Sequence, residues 1–471
     1  MSELTFTKAG ARAISRRMVD RSACRRNLVR RTALGVYIIS CIAISSSLLS
    51  ESDDVWLGGA TSVVAWLLFG LFLRSLHRTD RRFLPSAFYT VFYVAGMLVS
   101  ATVINSGAYM FEVGEFGTAN GTLWIALLLG TLAIHFQFIG FARAIESAGL
   151  IRDRLSDSKS LSFLFVWLTL LISAAIIVMY GTPGAAGVNR ILYWGNIAPA
   201  FLSPVRIAIT LSIFVAAFWA FKRRSILAVI MVALIYVYLA VVFLGEKFSI
   251  FVQFAFFVGI VVGALASARQ IVRFYKLAIV SGVIMFAGVA LHYELQGLGL
   301  NFVFDRLAVQ AQVLWSVMNE GGDTLIHGFL GDCAPNCEKV LDPRDLVAER
   351  YIPSVLYEQR KELGTTLSGY NPAVLILYFG LFFAVFAQAA IGLILGILQA
   401  KVVRATASGT MLYGFLLAVG YYFATMMWFV ANQSLAVPLA GVLVISGIYA
   451  LTLIRHRKPV CTTFVTIAEK Q

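Results

Sequence analysis

Charge is what this 471-residue sequence has least of: 13 % of its residues are Asp, Glu, Lys or Arg, half of the roughly 25 % found in soluble globular domains. Apolar residues make up 59 % and the mean hydropathy is +0.83. So much apolar surface cannot be enclosed in one soluble core, which excludes an ordinary soluble catalytic domain. Nucleotide and metal motifs are missing too. There is no Walker loop, no dinucleotide fingerprint, no zinc motif and no Gly-x-Ser-x-Gly elbow. A soluble-type nucleotide-sugar transferase is therefore disfavoured.

What is present is a series of apolar runs, each near the about 18–25 residues that cross a bilayer as a helix. Twelve are expected: 33–50, 55–73, 84–105, 121–142, 161–181, 205–221, 226–244, 248–267, 277–293, 372–398, 409–431 and 433–453. The reading is an all-α polytopic membrane protein. A basic segment, 1–32, precedes nine spans within 33–293. A large loop, 294–371, is followed by three spans within 372–453 and a tail, 454–471. The basic flank is too long for a secretory signal and no cleavage site follows it, so the first run is expected to stay as a span.

With the N-terminus in the cytoplasm, the cytoplasmic segments hold 29 of the 38 Lys and Arg but only seven of the 24 Asp and Glu. The inside then carries +22 and the outside −8. This is the positive-inside pattern, and it places both termini in the cytoplasm. The overall charge of +14 thus reports orientation, and Arg12 to Arg31 read as an anchor near anionic lipid rather than a nucleic-acid site. Cys24, Cys41 and Cys461 read as free thiols. Cys333 and Cys337 fall outside, where a disulfide staple is favoured over a metal site because no His/Cys cluster completes a ligand set.

Most connections are short, but the outer loop 294–371 is 78 residues long and about 22 % charged. Long ordered loops tend to carry function. Within it, Asp342-Pro343-Arg344-Asp345 reads as a helix start that should stop near Pro353. A second helix is expected from about Ser354 to Gly364. Residues 303–318 place Val303, Leu307, Ala311, Leu314 and Met318 on one face and Arg306 and Gln310 on another. An amphipathic helix lying along the membrane surface is expected there.

Nine cations lie outside by this topology. Arg190, Arg206, Lys247 and Arg306 sit at or beside span ends, and Arg350 lies in the loop. Arg grips phosphate oxygens as a planar fork and Lys as a point charge, so these five are the candidates for a pyrophosphate. The plainer reading is local pairing, Lys247 with Glu246 and Arg306 with Asp305. For proton transfer the candidates are His327, Glu349 and Asp332, with Glu246 and His292 behind them.

Several of these residues fall in a familiar order. Gly245-Glu246-Lys247-Phe248-Ser249 opens a span, and Arg306 and Trp315 follow on a helix. His327-Gly328-Phe329-Leu330-Gly331 comes next, then Tyr370-Asn371 leading into Leu375-Ile376-Leu377-Tyr378-Phe379-Gly380 and a long span. This order resembles the O-antigen polymerase and ligase superfamily, the Wzy-type oligosaccharide repeat-unit polymerases and their ligase relatives. The resemblance covers roughly 226–398 by motif and the whole chain by topology. It implies a GT-C-like helical fold at the periplasmic face of the bacterial inner membrane. The implied substrates are undecaprenyl-pyrophosphate-linked oligosaccharides, with no nucleotide sugar and no cofactor beyond an optional divalent metal. A chain-length regulator is a candidate partner. By the resemblance, Lys247 stands where relatives carry a span-opening Arg, and Arg306 matches their loop Arg. The resemblance also makes Trp194, Trp315, Tyr370 and Asn371 candidates to meet sugar rings. For Trp315 an interfacial belt is the competing role. Ligases typically carry His before the Asn of the late span; Tyr370-Asn371 stands here, which favours polymerase over ligase.

Two other classes compete. A flippase or transporter fits twelve spans, but the middle connection, 222–225, is short and charges within spans are nearly absent. An acyl-modifying envelope protein would need an embedded His or His-Asp pair, and none is evident.

Overall fold

The computed structural model describes residues 33, 35–40, 55–147, 159–183, 186, 193, 213–219, 221, 249–295, 297, 299, 301–319, 350–362, 371–408, 411–429 and 436–455. Among them the chain is almost entirely helical and has no strand, only an isolated bridge between Met110 and Glu115. Among the described residues, five helices are long and apolar enough to cross a membrane: Gly58–Thr79, Phe88–Asn105, Asn120–Ile145, Ala373–Ala407 and Leu412–Phe429. This is an all-α protein built for a membrane. Of the expected spans, 226–244 lies outside the described residues, as do most of 33–50 and 205–221.

The chain forms two compact units. The first comprises Met1–Arg143, Ala268–Ile397 and Trp428–Ala431. Its first helices are α1 (Val55–Thr79), α2 (Phe83–Ser86), α3 (Phe88–Asn105) and α4 (Asn120–Ser147). The turn from α1 to α2 is fixed by Asp80, which accepts from the backbone N–H and the guanidinium of Arg82, the shortest of these at 2.8 Å. Phe83 then enters the interior, meeting Phe138 and Phe141 of α4 at 5.2 and 5.6 Å between ring centroids.

At the far end of α3 an asparagine clasp closes the connection 106–119. Asn105 Oδ1 accepts from the Ala119 N–H at 2.6 Å, and its Nδ2 donates to Asn120 Oδ1 at 3.0 Å. Thr61 of α1 donates to the same Asn120 oxygen at 3.0 Å. An apolar interior cannot solvate such groups, so they pair with one another.

Beyond α7 (Ala268–Leu295) come α8 (Asn301–Leu307), α9 (Val309–Asn319) and α10 (Ser354–Glu362). Next is α11, Ala373–Ala407, whose helical path breaks at Gly380, with φ 75 and ψ 165. Only glycine occupies that region without strain. Unbroken, 35 residues would run about 52 Å, well beyond a hydrocarbon core of about 30 Å. The break divides the element into a short approach and a long crossing segment.

That crossing segment packs backbone to backbone on α4. Gly392 and Gly396 of α11 and Gly140 of α4 leave no room for a side chain. A Cβ on Gly392 would strike the Ala133 carbonyl, one on Gly396 the Gln137 carbonyl, and one on Gly140 the Leu393 carbonyl. Between apolar helices there is little hydrophobic gain to be had, so close approach at small residues supplies the attraction.

The second unit comprises Ala144–Ser267, Leu398–Met427 and Asn432–Gln471. It contains α5 (Lys159–Tyr180), α6 (Ser249–Leu265), most of α12 (Met411–Phe429) and α13 (Ala436–Arg455). Its interior is aromatic. Phe256 of α6 meets Tyr421 and Tyr422 of α12 at 5.1 and 5.4 Å, and Phe214 meets Phe415 at 5.9 Å.

Candidate functional site

The first unit gathers polar and charged groups around one face of α3. Tyr93, Gly96 and Ser100 lie on that face at helical spacing, and each receives a different part of the chain. Ser100 meets the junction of α8 and α9. Its hydroxyl donates to the Ala308 carbonyl and accepts from the Ala311 N–H at 2.7 Å. The Ala311 N–H lies in the first turn of α9, where a helix leaves its donors without an intrahelical partner, and Ser100 supplies one. One turn back, Gly96 leaves space for Gln310, whose Oε1 a Cβ at residue 96 would strike.

This arrangement corrects the expectation of a surface helix over 303–318. The segment is two helices, and α9 is buried at Val309, Ala311, Gln312, Val313, Leu314, Trp315, Ser316 and Val317. The apolar face turns into the protein interior instead of toward lipid. The small residues on α3 let the polar side pack inward too, so no broad face of α9 remains to lie on a bilayer.

The connection 106–119 is the hub. Gln312, fully buried, accepts from the Glu112 backbone N–H at 2.9 Å, and Glu112 is itself only 3 % exposed. Asp305 accepts from the Tyr109 N–H at 3.0 Å. Trp315 donates its indole N–H to the Thr118 carbonyl at 2.8 Å. Pro353, which opens α10, lies against Gly114, where a Cβ would sit 3.4 Å from the ring. The helix expected from about Ser354 is therefore present and reaches this same loop.

Of the residues singled out by sequence, four are described. Arg306 is exposed on α8. Its guanidinium carbon stands 5.5 Å from the Phe111 ring centroid, and Phe302, one turn earlier on α8, stacks on that ring at 6.5 Å and 17°. Arg306 and Phe302 thus grip Phe111 from one helix face. Arg306 does not pair with Asp305, whose carboxylate is turned to Tyr109, and it has no acidic partner among the described residues. Arg350 is exposed beside the Tyr351 ring, at 6.0 Å.

The other two are interior. Trp315 is 6 % exposed with its N–H engaged. Asn371 is 2 % exposed; its carbonyl accepts from the Tyr93 hydroxyl at 2.9 Å and its Nδ2 donates to the Trp428 carbonyl at 3.2 Å. Its Oδ1 has no partner among the described residues. Arg190, Arg206, Lys247, Glu246, His327, Asp332, Cys333, Cys337, Glu349, Trp194 and Tyr370 lie outside the described residues, as does the side chain of His292. Among the described residues no three His, Cys, Asp or Glu come together as metal ligands.

Chemically, among the described residues the cluster offers an exposed cation without an acidic partner, Arg306, seated on Phe111. Behind it lie amide groups with spare capacity: Gln310 Oε1 and Gln312 Nε2 have no partner among the described residues. Sequence reasoning missed Glu112, Gln312, Ser100 and the whole connection 106–119. The available signal was polar residues interrupting the apolar runs of α3 and α4, namely Ser100, Asn105 and Asn120.

A family model described as a family of unknown function (DUF6418) matches residues 345–434. That stretch carries Arg350, Asn371 and the Gly380 break. No curated protein and no solved structure matches the chain.

Proposed function

We propose that the protein joins lipid-linked oligosaccharide repeat units, acting as a Wzy-type polymerase in O-antigen or exopolysaccharide synthesis. In this reading it is a twelve-span, GT-C-like glycosyltransferase of the bacterial inner membrane with both termini cytoplasmic. It works at the periplasmic face on undecaprenyl-pyrophosphate-linked glycans, and a chain-length regulator is its natural partner. The order of motifs from Lys247 to Gly380 supports the reading. Among observations of the fold, the one that carries it is Arg306: an exposed guanidinium seated on Phe111 and released from its neighbouring carboxylate.

The reaction forms a glycosidic C–O bond and breaks the anomeric C–O bond to the pyrophosphate. Negative charge grows on the departing pyrophosphate, and a fixed guanidinium lowers that barrier most where the charge develops. The acceptor hydroxyl must lose a proton, and His327, Glu349 and Asp332 are the residues proposed to receive it. Arg350 joins Arg306 at the pyrophosphate, with Arg190, Arg206 and Lys247 as further cations.

The test is to delete the gene in its host and resolve surface polysaccharide on a gel. Loss of long chains with single repeats retained on the lipid core supports a polymerase. Loss of every repeat would point to a flippase, and free polymer off the core to a ligase. Arg306→Ala, inserted normally, should reproduce the loss of long chains.

A further inference from the structure

At the opposite end of α1 from the asparagine clasp, the first unit carries a second charged feature that glycan chemistry does not use. His77, near the end of α1, meets Tyr275, near the start of α7, with ring centroids 5.6 Å apart at 75°. That contact brings two basic stretches together: Arg74, Arg78 and Arg81 from one, Arg269, Arg273 and Lys276 from the other. All six are exposed, and none has an acidic partner among the described residues. The carboxylate that follows α1 in sequence, Asp80, is held by Arg82 at 2.8 Å. Between the two stretches, His77 Nδ1 and the Tyr275 hydroxyl also have no partner among the described residues.

What runs away from this cationic end is apolar and exposed. On α1 the stripe Arg78, Arg74 continues as Leu71, Leu67 and Val64; on α7 the stripe Arg273, Lys276 continues as Ile279, Val280 and Val283. The His77–Tyr275 contact joins the two cationic ends, and on each helix an exposed apolar stripe begins at those cations. A phosphate-bearing head joined to long hydrocarbon chains is the ligand whose own charge and grease are divided in this manner.

We propose that the α1–α7 end is a binding site for an anionic phospholipid. Its phosphate sits among Arg74, Arg78, Arg273 and Lys276, and its acyl chains lie along Leu67, Leu71, Ile279 and Val283. Clusters of cations beside apolar helix faces hold anionic headgroups by direct attraction, and Arg adds bidentate hydrogen bonds to phosphate. The site stands apart from Arg306 and does not depend on the glycan reading.

The test uses the full-length protein reconstituted into phosphatidylcholine vesicles, with or without phosphatidylglycerol. Phosphatidylglycerol should raise the apparent melting temperature by about 3 °C or more, as a ligand of the folded state does. The combined variant Arg269→Gln, Arg273→Gln, Lys276→Gln should lose that rise while melting like the unaltered protein in phosphatidylcholine alone. Replacing the two arginines by lysine should keep most of it. The proposal is overturned if the glutamine variant retains the full rise, or if it is already destabilised in phosphatidylcholine, since the cations are then structural. It is equally overturned if inorganic phosphate added to the detergent-solubilised protein reproduces the effect, which would make the ligand a free anion. Should the combined variant fail to insert, Arg273→Gln alone, with co-purified lipid identified by mass spectrometry, gives the same decision.

Discussion

The face of α3 that receives α8 and α9 and the end of α1 that meets α7 handle polar groups in opposite ways. On α3, Ser100, Gln310, Gln312 and, across the connection, Glu112 are enclosed. Ser100 there satisfies backbone groups at the junction of α8 and α9, donating to the Ala308 carbonyl and accepting from the Ala311 N–H. At the α1–α7 end six cations stand exposed without acidic partners among the described residues. Enclosed polarity specifies how helices dock, because an unmade bond there costs about 1–3 kcal/mol. Exposed charge does little for stability and is free to meet a ligand. Arg306 belongs with the second kind although it lies beside the first.

The sharpest way to break this contrast is at a glycine. Gly396→Leu drives a side chain into the Gln137 carbonyl, where α4 and α11 touch backbone to backbone. Neither partner is a flexible side chain, so the cost should reach about 3 kcal/mol or more. It would be read as loss of monodisperse protein on size exclusion. Gly59→Leu is the matched control. That glycine faces open space on exposed α1, and the same substitution should leave yield unchanged. If both behave alike, the glycine contact is not what holds α4 to α11.

A smaller effect is expected at Ser100→Ala. The change removes a donor to Ala308 and an acceptor for Ala311 at once, and the site is too enclosed for water to replace them. About 2 kcal/mol should be lost, seen as a fall in apparent melting temperature in detergent. A change below about 0.5 kcal/mol would mean that α8 and α9 are held by apolar packing alone.

These same residues explain how far the sequence could be read. The crossing helices were legible because an apolar run of sufficient length has few alternatives. So was the start of α10, because Pro353 sets the first turn and its carbonyl accepts from Leu356 and Tyr357 at 2.9 and 3.0 Å. The break at Gly380 was hidden, since the apolar run continues through it and only backbone torsion marks the interruption. The burial of α9 was hidden for another reason. Its periodicity describes one helix, while its polar side is accepted by Gly96 and Ser100, some two hundred residues away in sequence. For the site, charge patterning selected Arg306. Nothing local distinguished the connection 106–119 from any short loop, because its role comes from long-range contacts, among them the hydrogen bonds at Tyr109, Glu112 and Thr118.

The smallest effect on stability, and the one that separates the two kinds of polarity most cleanly, is expected at Arg306. Its contact with Phe111 is a cation–π pair at an exposed site, worth about 0.5–1 kcal/mol. Arg306→Ala should therefore cost no more than that in apparent stability, less than Ser100→Ala, while removing long chains in the host. Arg306→Lys should keep stability and restore part of the polymer, since it preserves the charge but not the planar fork. A drop in stability as large as that at Ser100 would assign Arg306 to the packing of α8. Its loss of polymer would then report misfolding, and the seat on Phe111 would cease to support an anion site.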